Sequence, residues 1–181
     1  MSILFDKTFE HLIMIEGGYV NDPKDSGGAT RYGITENTAR SHGYTGQMSE
    51  LPLREAKRIY KAAYWDAVYC DEIGAFSPEI AAELFDTAVN MGIKFAGTCL
   101  QRVLSAMNRN GTDYPDVTID GAVGPATVAA LRAYLLKRKL DGEVVLLRAL
   151  NALQGARYIE LAETRQKDEA FVFGWLLRRV K

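Results

Sequence analysis

Ile15-Glu16-Gly17-Gly18-Tyr19-Val20-Asn21-Asp22-Pro23-Lys24-Asp25 is where a helical pattern gives way to a turn-rich lobe. Upstream, Phe5, Phe9, Leu12 and Ile13 fall at i, i+4, i+7 and i+8, one apolar stripe of a helix. Glu16 lies three residues after Ile13 and four after Leu12, so its carboxylate sits on the same stripe. It is expected at the interior or a cleft wall. Apolar neighbours disfavour the ionised form and raise a carboxyl pKa, which suits a general acid near neutral pH. A salt-bridged or helix-terminal glutamate fits the same spacing, and spacing alone favours that reading. Gly17-Gly18 ends the helix by permitting a left-handed C-cap.

Composition narrows the class without naming it. The chain has 181 residues, enough for one good-sized domain or two small ones, each with a core. Its net charge of −1 supplies no basic field for nucleic acid. Cys70 and Cys99 stand in no metal or redox spacing, and two His and two Cys scattered apart make no zinc pattern. Reduced, buried thiols in a protein made in the cytoplasm are expected. No run of about eighteen apolar residues occurs, so no stable membrane insertion is expected. Asp6, Lys7, Glu10 and His11 interrupt the first fifteen residues, which do not read as a conventional signal peptide.

Along the chain, Asn21-Asp22-Pro23 and Ser26-Gly27-Gly28 are turn signals, and Tyr19-Val20 and Arg31-Tyr32 are short strand candidates. Thr35 is placed to N-cap a short helix to Ser41. A helix after Leu51-Pro52 should bury Leu53, Ala56, Tyr60, Ala63 and Ala67, with Arg54, Lys57, Arg58 and Lys61 as a basic ridge. Ser77-Pro78-Glu79 is a helix start. There Ile80, Leu84, Phe85, Ala88 and Met91 face inward, with Glu79, Glu83, Asp86 and Asn90 opposite. Gly92 ends that helix, and the next is expected to bury Ile93, Ala96, Leu100, Val103, Leu104 and Met107. After the polar stretch 108–124, a helix from Pro125 to about Lys139 is separated at Asp141-Gly142 from another. That helix is apolar on two faces and so is expected at the centre. Gly155 inside it marks close packing, and a tail helix docks through Phe171, Trp175 and Leu176. The fold class is mainly α, with a small irregular β-lobe after the first helix.

Hydrolysing a glycosidic bond requires a protonated acid at the leaving oxygen and, usually, a second carboxylate across the sugar. Glu16 with an aspartate nine residues on supplies both types, although such a spacing is common.

The words are more specific. Glu16-Gly17-Gly18-Tyr19-Val20-Asn21-Asp22-Pro23, Asp25, Gly27-Gly28, Thr30 and Tyr32-Gly33-Ile34-Thr35 together resemble glycoside hydrolase family 108, bacterial and phage N-acetylmuramidases with a Glu-Gly-Gly-Tyr signature. The likeness continues through Tyr64-Trp65-Asp66 and Phe85-Asp86-Thr87-Ala88-Val89-Asn90-Met91-Gly92. Leu100-Gln101, Ile119-Asp120-Gly121, Val123-Gly124-Pro125 and Thr127 are similar to the helical peptidoglycan-binding module usually joined to that family.

The resemblance implies a lysozyme-like fold, a catalytic region over 1–92 and a peptidoglycan-binding region over 93–181 packed into one body with it. It also implies cleavage of the β-1,4 bond between N-acetylmuramic acid and N-acetylglucosamine, with Glu16 as catalytic acid and no cofactor. The order Glu16, Asp25, Thr30 is similar to the Glu-Asp-Thr order of phage-type lysozymes, whose Asp and Thr hold the attacking water. Here the Asp-to-Thr gap is one residue shorter, and Asp22 competes as second carboxylate. Tyr19, Asp22, Tyr32, Asp86 and Asn90 are the candidate substrate-binding residues, by aromatic stacking and by polar forks onto sugar groups. Asp86 pairing with a cation such as Lys94 is the structural alternative.

The expected partner is the glycan strand of peptidoglycan in the periplasm, reached through a separate holin or secretion pore. Phage lysis and wall opening for protein secretion share this chemistry. A non-catalytic wall-binding protein and a lytic transglycosylase are the alternatives.

Overall fold

The computed structural model describes residues 2–15 and 29–180, with the backbone alone at 14 and 15. The chain is mainly α, with eight α-helices and one two-stranded sheet among the described residues, and it divides into two compact units, Met1–Asp66 and Ala67–Lys181.

The first unit is built on rings. Helix α1 (Ile3–Ile15) buries Phe5, Phe9 and Leu12, the stripe that the spacing predicts. Phe5 packs edge-on to Trp65 at 5.2 Å between ring centres, and Phe9 to Tyr60 at 5.6 Å. Such pairs add about 0.5–1.5 kcal/mol each beyond their area. Helix α3 (Leu53–Tyr60) runs into a π-helical turn, Lys61–Trp65. Its buried stripe is Ala56, Ile59 and Tyr60, whereas Leu53, expected inside, is 46% exposed. Leu53 begins the helix, before the stripe meets α1. Three of the four cations of the basic ridge have partners within the unit. Lys57 pairs with Asp6 at 2.9 Å and Lys61 with Asp66, while Arg58 bonds Glu55 and the His42 carbonyl, each at 2.6 Å.

Strands β1 (Thr30–Arg31) and β2 (Ile34–Thr35) form an antiparallel hairpin, Thr30 opposite Thr35 and Arg31 opposite Ile34. Tyr32, read from sequence as a strand residue, instead shares the turn with Gly33, at φ 52° and 73°. Positive φ at both central residues matches the right-handed twist of the strands. Thr35 then caps α2 (Glu36–Ser41), its hydroxyl accepting the Thr38 amide at 3.3 Å.

The second unit contains α4 (Cys70–Gly74), α5 (Pro78–Met91), α6 (Ile93–Met107), α7 (Pro125–Thr164) and α8 (Glu169–Arg179). Ser77 caps α5 as its sequence predicts, the hydroxyl accepting the Ile80 amide. Glu83, assigned to the outward face, is only 8% exposed. Gly92 joins α5 to α6 at φ 90°, ψ 150°, a conformation open to glycine and strained for other residues. Ile93 starts α6 in solvent, while Ala96, Leu100, Val103 and Leu104 are buried as expected.

Residues 108–124 have no regular structure and are tied down by side chains. Gln101 donates to Asp120 Oδ1 at 2.9 Å and the Ala122 carbonyl at 3.0 Å, and accepts from the Gly121 amide at 2.7 Å. Tyr114 donates its hydroxyl to the Leu104 carbonyl at 2.8 Å.

The first arm of α7 ends at Lys139, as expected, where a φ of 56° and ψ of −142° lie outside helical geometry; Asp141-Gly142 does not separate the two arms. Gly142 is helical, buried, and accepts the Tyr134 hydroxyl through its carbonyl at 2.9 Å. The following arm is not the central helix. Leu146, Leu150 and Tyr158 are buried, but Val145 and Ile159 of the other face are 42% and 48% exposed. Gly155 faces α8, with Leu176 and Val180 each 3.7 Å from where its Cβ would stand, the close approach expected of it. Trp175 of α8 packs on Tyr158 at 5.1 Å between ring centres, and Phe171 remains mostly exposed.

Candidate active site

The residues with candidate roles fall into three groups. Glu16, Tyr19, Asp22 and Asp25 lie outside the described residues. What is described is the helix that leads to Glu16. Its stripe is seated on Trp65 and Tyr60, which fixes the direction in which α1 delivers the chain.

Thr30 and Tyr32 share the hairpin. Thr30 opposes Thr35, and both are half-buried. The Tyr32 carbonyl accepts the Tyr60 hydroxyl at 2.9 Å, which pins the turn to the aromatic core. Its ring lies under the Arg31 guanidinium at 5.1 Å, and its own hydroxyl accepts from Arg31 at 3.5 Å. The hairpin is therefore held at both ends, by a ring hydroxyl at the turn and by the Thr35 cap at its exit.

Asp86 and Asn90 lie one turn apart on α5. Asn90 donates its side-chain amide to the Asp86 carbonyl at 2.7 Å. The Asp86 carboxylate receives Arg179 of α8 on Oδ1 at 2.8 Å and Gln154 of α7 on Oδ2 at 3.3 Å. Its cation is thus Arg179, not Lys94. Gln154, wholly buried, also donates to Thr87 at 3.2 Å. An ionised carboxylate has about four acceptor sites, so these two bonds orient Asp86 and leave it capacity for others. Sequence reasoning did not find Arg179 or Gln154, because they stand 93 and 68 residues from Asp86 and carry no local pattern that points there.

Both thiols are buried and unpaired with each other. Cys70 donates to the Ala81 carbonyl at 3.3 Å, and burial pushes the Cys99 thiol up to about 11, so it stays protonated at neutral pH. Among the described residues, no group of three or more His, Cys, Asp and Glu is placed to hold a metal ion, and no helix is long and apolar enough to cross a membrane.

Residues 9–92 match the family model of glycosyl hydrolase 108, and residues 96–180 match that of a predicted peptidoglycan domain. The first match runs past the end of the first compact unit to include α5 with Asp86 and Asn90. Among solved structures, the chain is similar to Brucella abortus SagA, with 26% sequence identity and a TM-score of 0.62, over 98% of this chain and 95% of that one. No curated protein matches it.

Proposed function

We propose that the chain, whose two halves match the glycosyl hydrolase 108 model and a predicted peptidoglycan domain, is a peptidoglycan hydrolase of that family, an N-acetylmuramidase. The bond it cleaves is the β-1,4 link from N-acetylmuramic acid to N-acetylglucosamine. The observation that carries this reading is the family match running through Glu16 and the Gly-Gly-Tyr that follows it.

In this mechanism Glu16 is protonated in the resting enzyme and gives its proton to the departing glycosidic oxygen. The sequence places it after an apolar stripe, which favours the protonated form. Asp25, with Thr30, holds the water that attacks from the opposite face of the sugar. Room for that water requires carboxyl groups about 6.5–9.5 Å apart, and the product emerges with inverted configuration. Asp22 is the competing residue for the second role. The hairpin suits Thr30 to a positioning task, because its turn is tied to Tyr60 and its exit is capped. Tyr19 and Tyr32 offer ring faces to the sugars, and Asp86 and Asn90 offer polar groups. Asp86 is held for this by Arg179 and Gln154.

The functional division proposed is catalysis in residues 1–92 and wall attachment in 93–181. The place of action is the periplasm, reached through a separate pore, for phage lysis or for wall opening during secretion.

The test compares wild type with Glu16→Gln on permeabilised cells, followed by turbidity. A general acid contributes roughly 10²–10⁴-fold, and a loss of that size is expected. Equal clearing by both proteins would sink the assignment of Glu16. Mass spectrometry of the digest should show hydrated reducing ends. Products ending in 1,6-anhydromuramic acid would identify a lytic transglycosylase instead.

A further inference from the structure

The second unit contains a cleft of about 580 Å³ between the C-terminal end of α6 and the elbow of α7. Clefts of this size suit small ligands. Its lining combines apolar surface, from Met107, Val145 and Tyr134, with the charges of Arg109, Lys137, Arg138 and Asp141.

The cations are gathered by Asp113, whose side chain they cover. Arg109 is spent on it, through Nε at 2.9 Å and a second, shorter bond. That hydrogen bond holds the Asp113 carboxyl below its ordinary range, so it is ionised at neutral pH. Lys137 and Arg138 are different. Each stands 3.6 Å from Asp113, beyond a good hydrogen bond, and about half of each side chain is in solvent. Arg109 and Asp113 cancel, which leaves two loosely held cations and one further carboxylate, Asp141, among the lining residues.

The backbone around the cleft is costly. Five non-glycine residues among the described ones have positive φ; one of them, Arg109, lines this cleft, and two more, Asn110 and Lys139, directly follow lining residues in the chain. Lys139 is close to a region used almost only by glycine, and such a residue costs on the order of 1–3 kcal/mol. The Tyr134 hydroxyl, bonded across the break to the Gly142 carbonyl, holds the elbow in place. Strain of this kind persists where surrounding structure over-determines it, and it gathers at ligand sites.

We propose that this cleft binds the peptide stem of peptidoglycan, with a stem carboxylate at Lys137 and Arg138, an ammonium group at Asp141, and the intervening alkyl chain along Met107 and Val145. The proposal rests on the chain acting on peptidoglycan and adds which part of the polymer the second unit reads. A neutral sugar is a poor fit. Sugars stack on open aromatic faces, whereas Tyr134 is almost wholly buried and its hydroxyl is already used. Two half-exposed cations held only loosely by Asp113, lining one cleft with the Asp141 carboxylate, instead match a zwitterionic peptide side chain. Because Lys137 and Arg138 are exposed, binding should weaken as salt rises.

The test is calorimetry of the full chain with a synthetic stem tetrapeptide bearing a diamino acid, and with the same peptide acetylated on that side chain. Charge reversal at both positions, Lys137→Glu with Arg138→Glu, should weaken binding of the free peptide at least tenfold. Asp141→Asn should remove the preference for the free amine over the acetylated form. Unchanged affinity in the reversed variant, or inorganic phosphate binding as tightly as the peptide, would overturn the proposal. Wild-type hydrolysis of peptide-free glycan strands is followed in parallel. Hydrolysis without peptide binding rejects the cleft alone, and peptide binding without hydrolysis rejects the muramidase reading alone.

Discussion

In the first unit the buried side chains join four rings, Phe5, Phe9, Tyr60 and Trp65, to aliphatic residues such as Leu12, Ile34, Leu51 and Ile59, and none of its described buried residues is polar or charged, the Tyr60 hydroxyl and Trp65 indole aside. In the second, the buried set includes Ser77, Glu83, Thr87, Gln101, Asn108, Thr127, Asn151 and Gln154. The difference follows from what each has to hold. Ring packing is non-directional, and it suffices to seat α1 on α3. The second unit must fix seventeen residues, 108–124, that have no ladder of their own. Buried backbone polar groups need partners, and Gln101, Asn108 and Tyr114 supply them. Polar groups in the first unit are accordingly left near its surface, Thr30 and Tyr32 among them.

Three measurements would break or sharpen this contrast. Trp65→Ala should have the largest effect, about 3–5 kcal/mol of stability by the usual cost of emptying an aromatic site. Hydrogen exchange should show it as lost protection in α1 and α3, and full protection there would remove the aromatic account.

Gln101→Leu comes next. It leaves the buried Gly121 amide without its partner, a cost of about 1–3 kcal/mol. Denaturant unfolding should reveal a loss, and a variant as stable as wild type would mean that apolar packing, not the amide, fixes the loop.

The smallest effect is alkaline. Burial pushes the Tyr114 hydroxyl up to about 12 from an ordinary value near 10. Folding therefore retains a proton that the unfolded chain gives up, and the stability from this group is intact below pH 10 and lost as pH rises through about 12. Tyr114→Phe should flatten that decline, and an identical slope in the variant would exclude Tyr114 as its source.

Sequence reading succeeded where the cause is local. Ser77-Pro78 set the start of α5, and Thr35 the start of α2, because a cap is a contact over three residues. It failed where the cause is distant. Asp141-Gly142 has the look of a breaker, but Gly142 is helical and serves as an acceptor for Tyr134, while the elbow falls at Lys139, where the expected end of the first arm lies. The face of Val145 and Ile159 was read as core, because periodicity counts apolar residues without knowing where a neighbouring helix lies. Of the candidate site, Glu16 is proposed from the Glu-Gly-Gly-Tyr resemblance and Asp25 from the looser Glu-Asp-Thr order, while the partners of Asp86 emerge only once α5, α7 and α8 are brought together.

The π-helical turn at Lys61–Trp65 has a consequence for how the chain tolerates change in length. On a regular α-helix, Tyr60 and Trp65 would stand about 140° apart around the axis, too far for both to meet α1. The wider turn brings both rings to Phe5 and Phe9. Deleting one residue between Tyr60 and Trp65 would leave the two rings at i and i+4, about 40° apart on a regular α-helix, still on one face. The wide turn therefore absorbs one extra residue without turning the indole from the core, and a second insertion, with no such turn to take it up, would rotate the indole away.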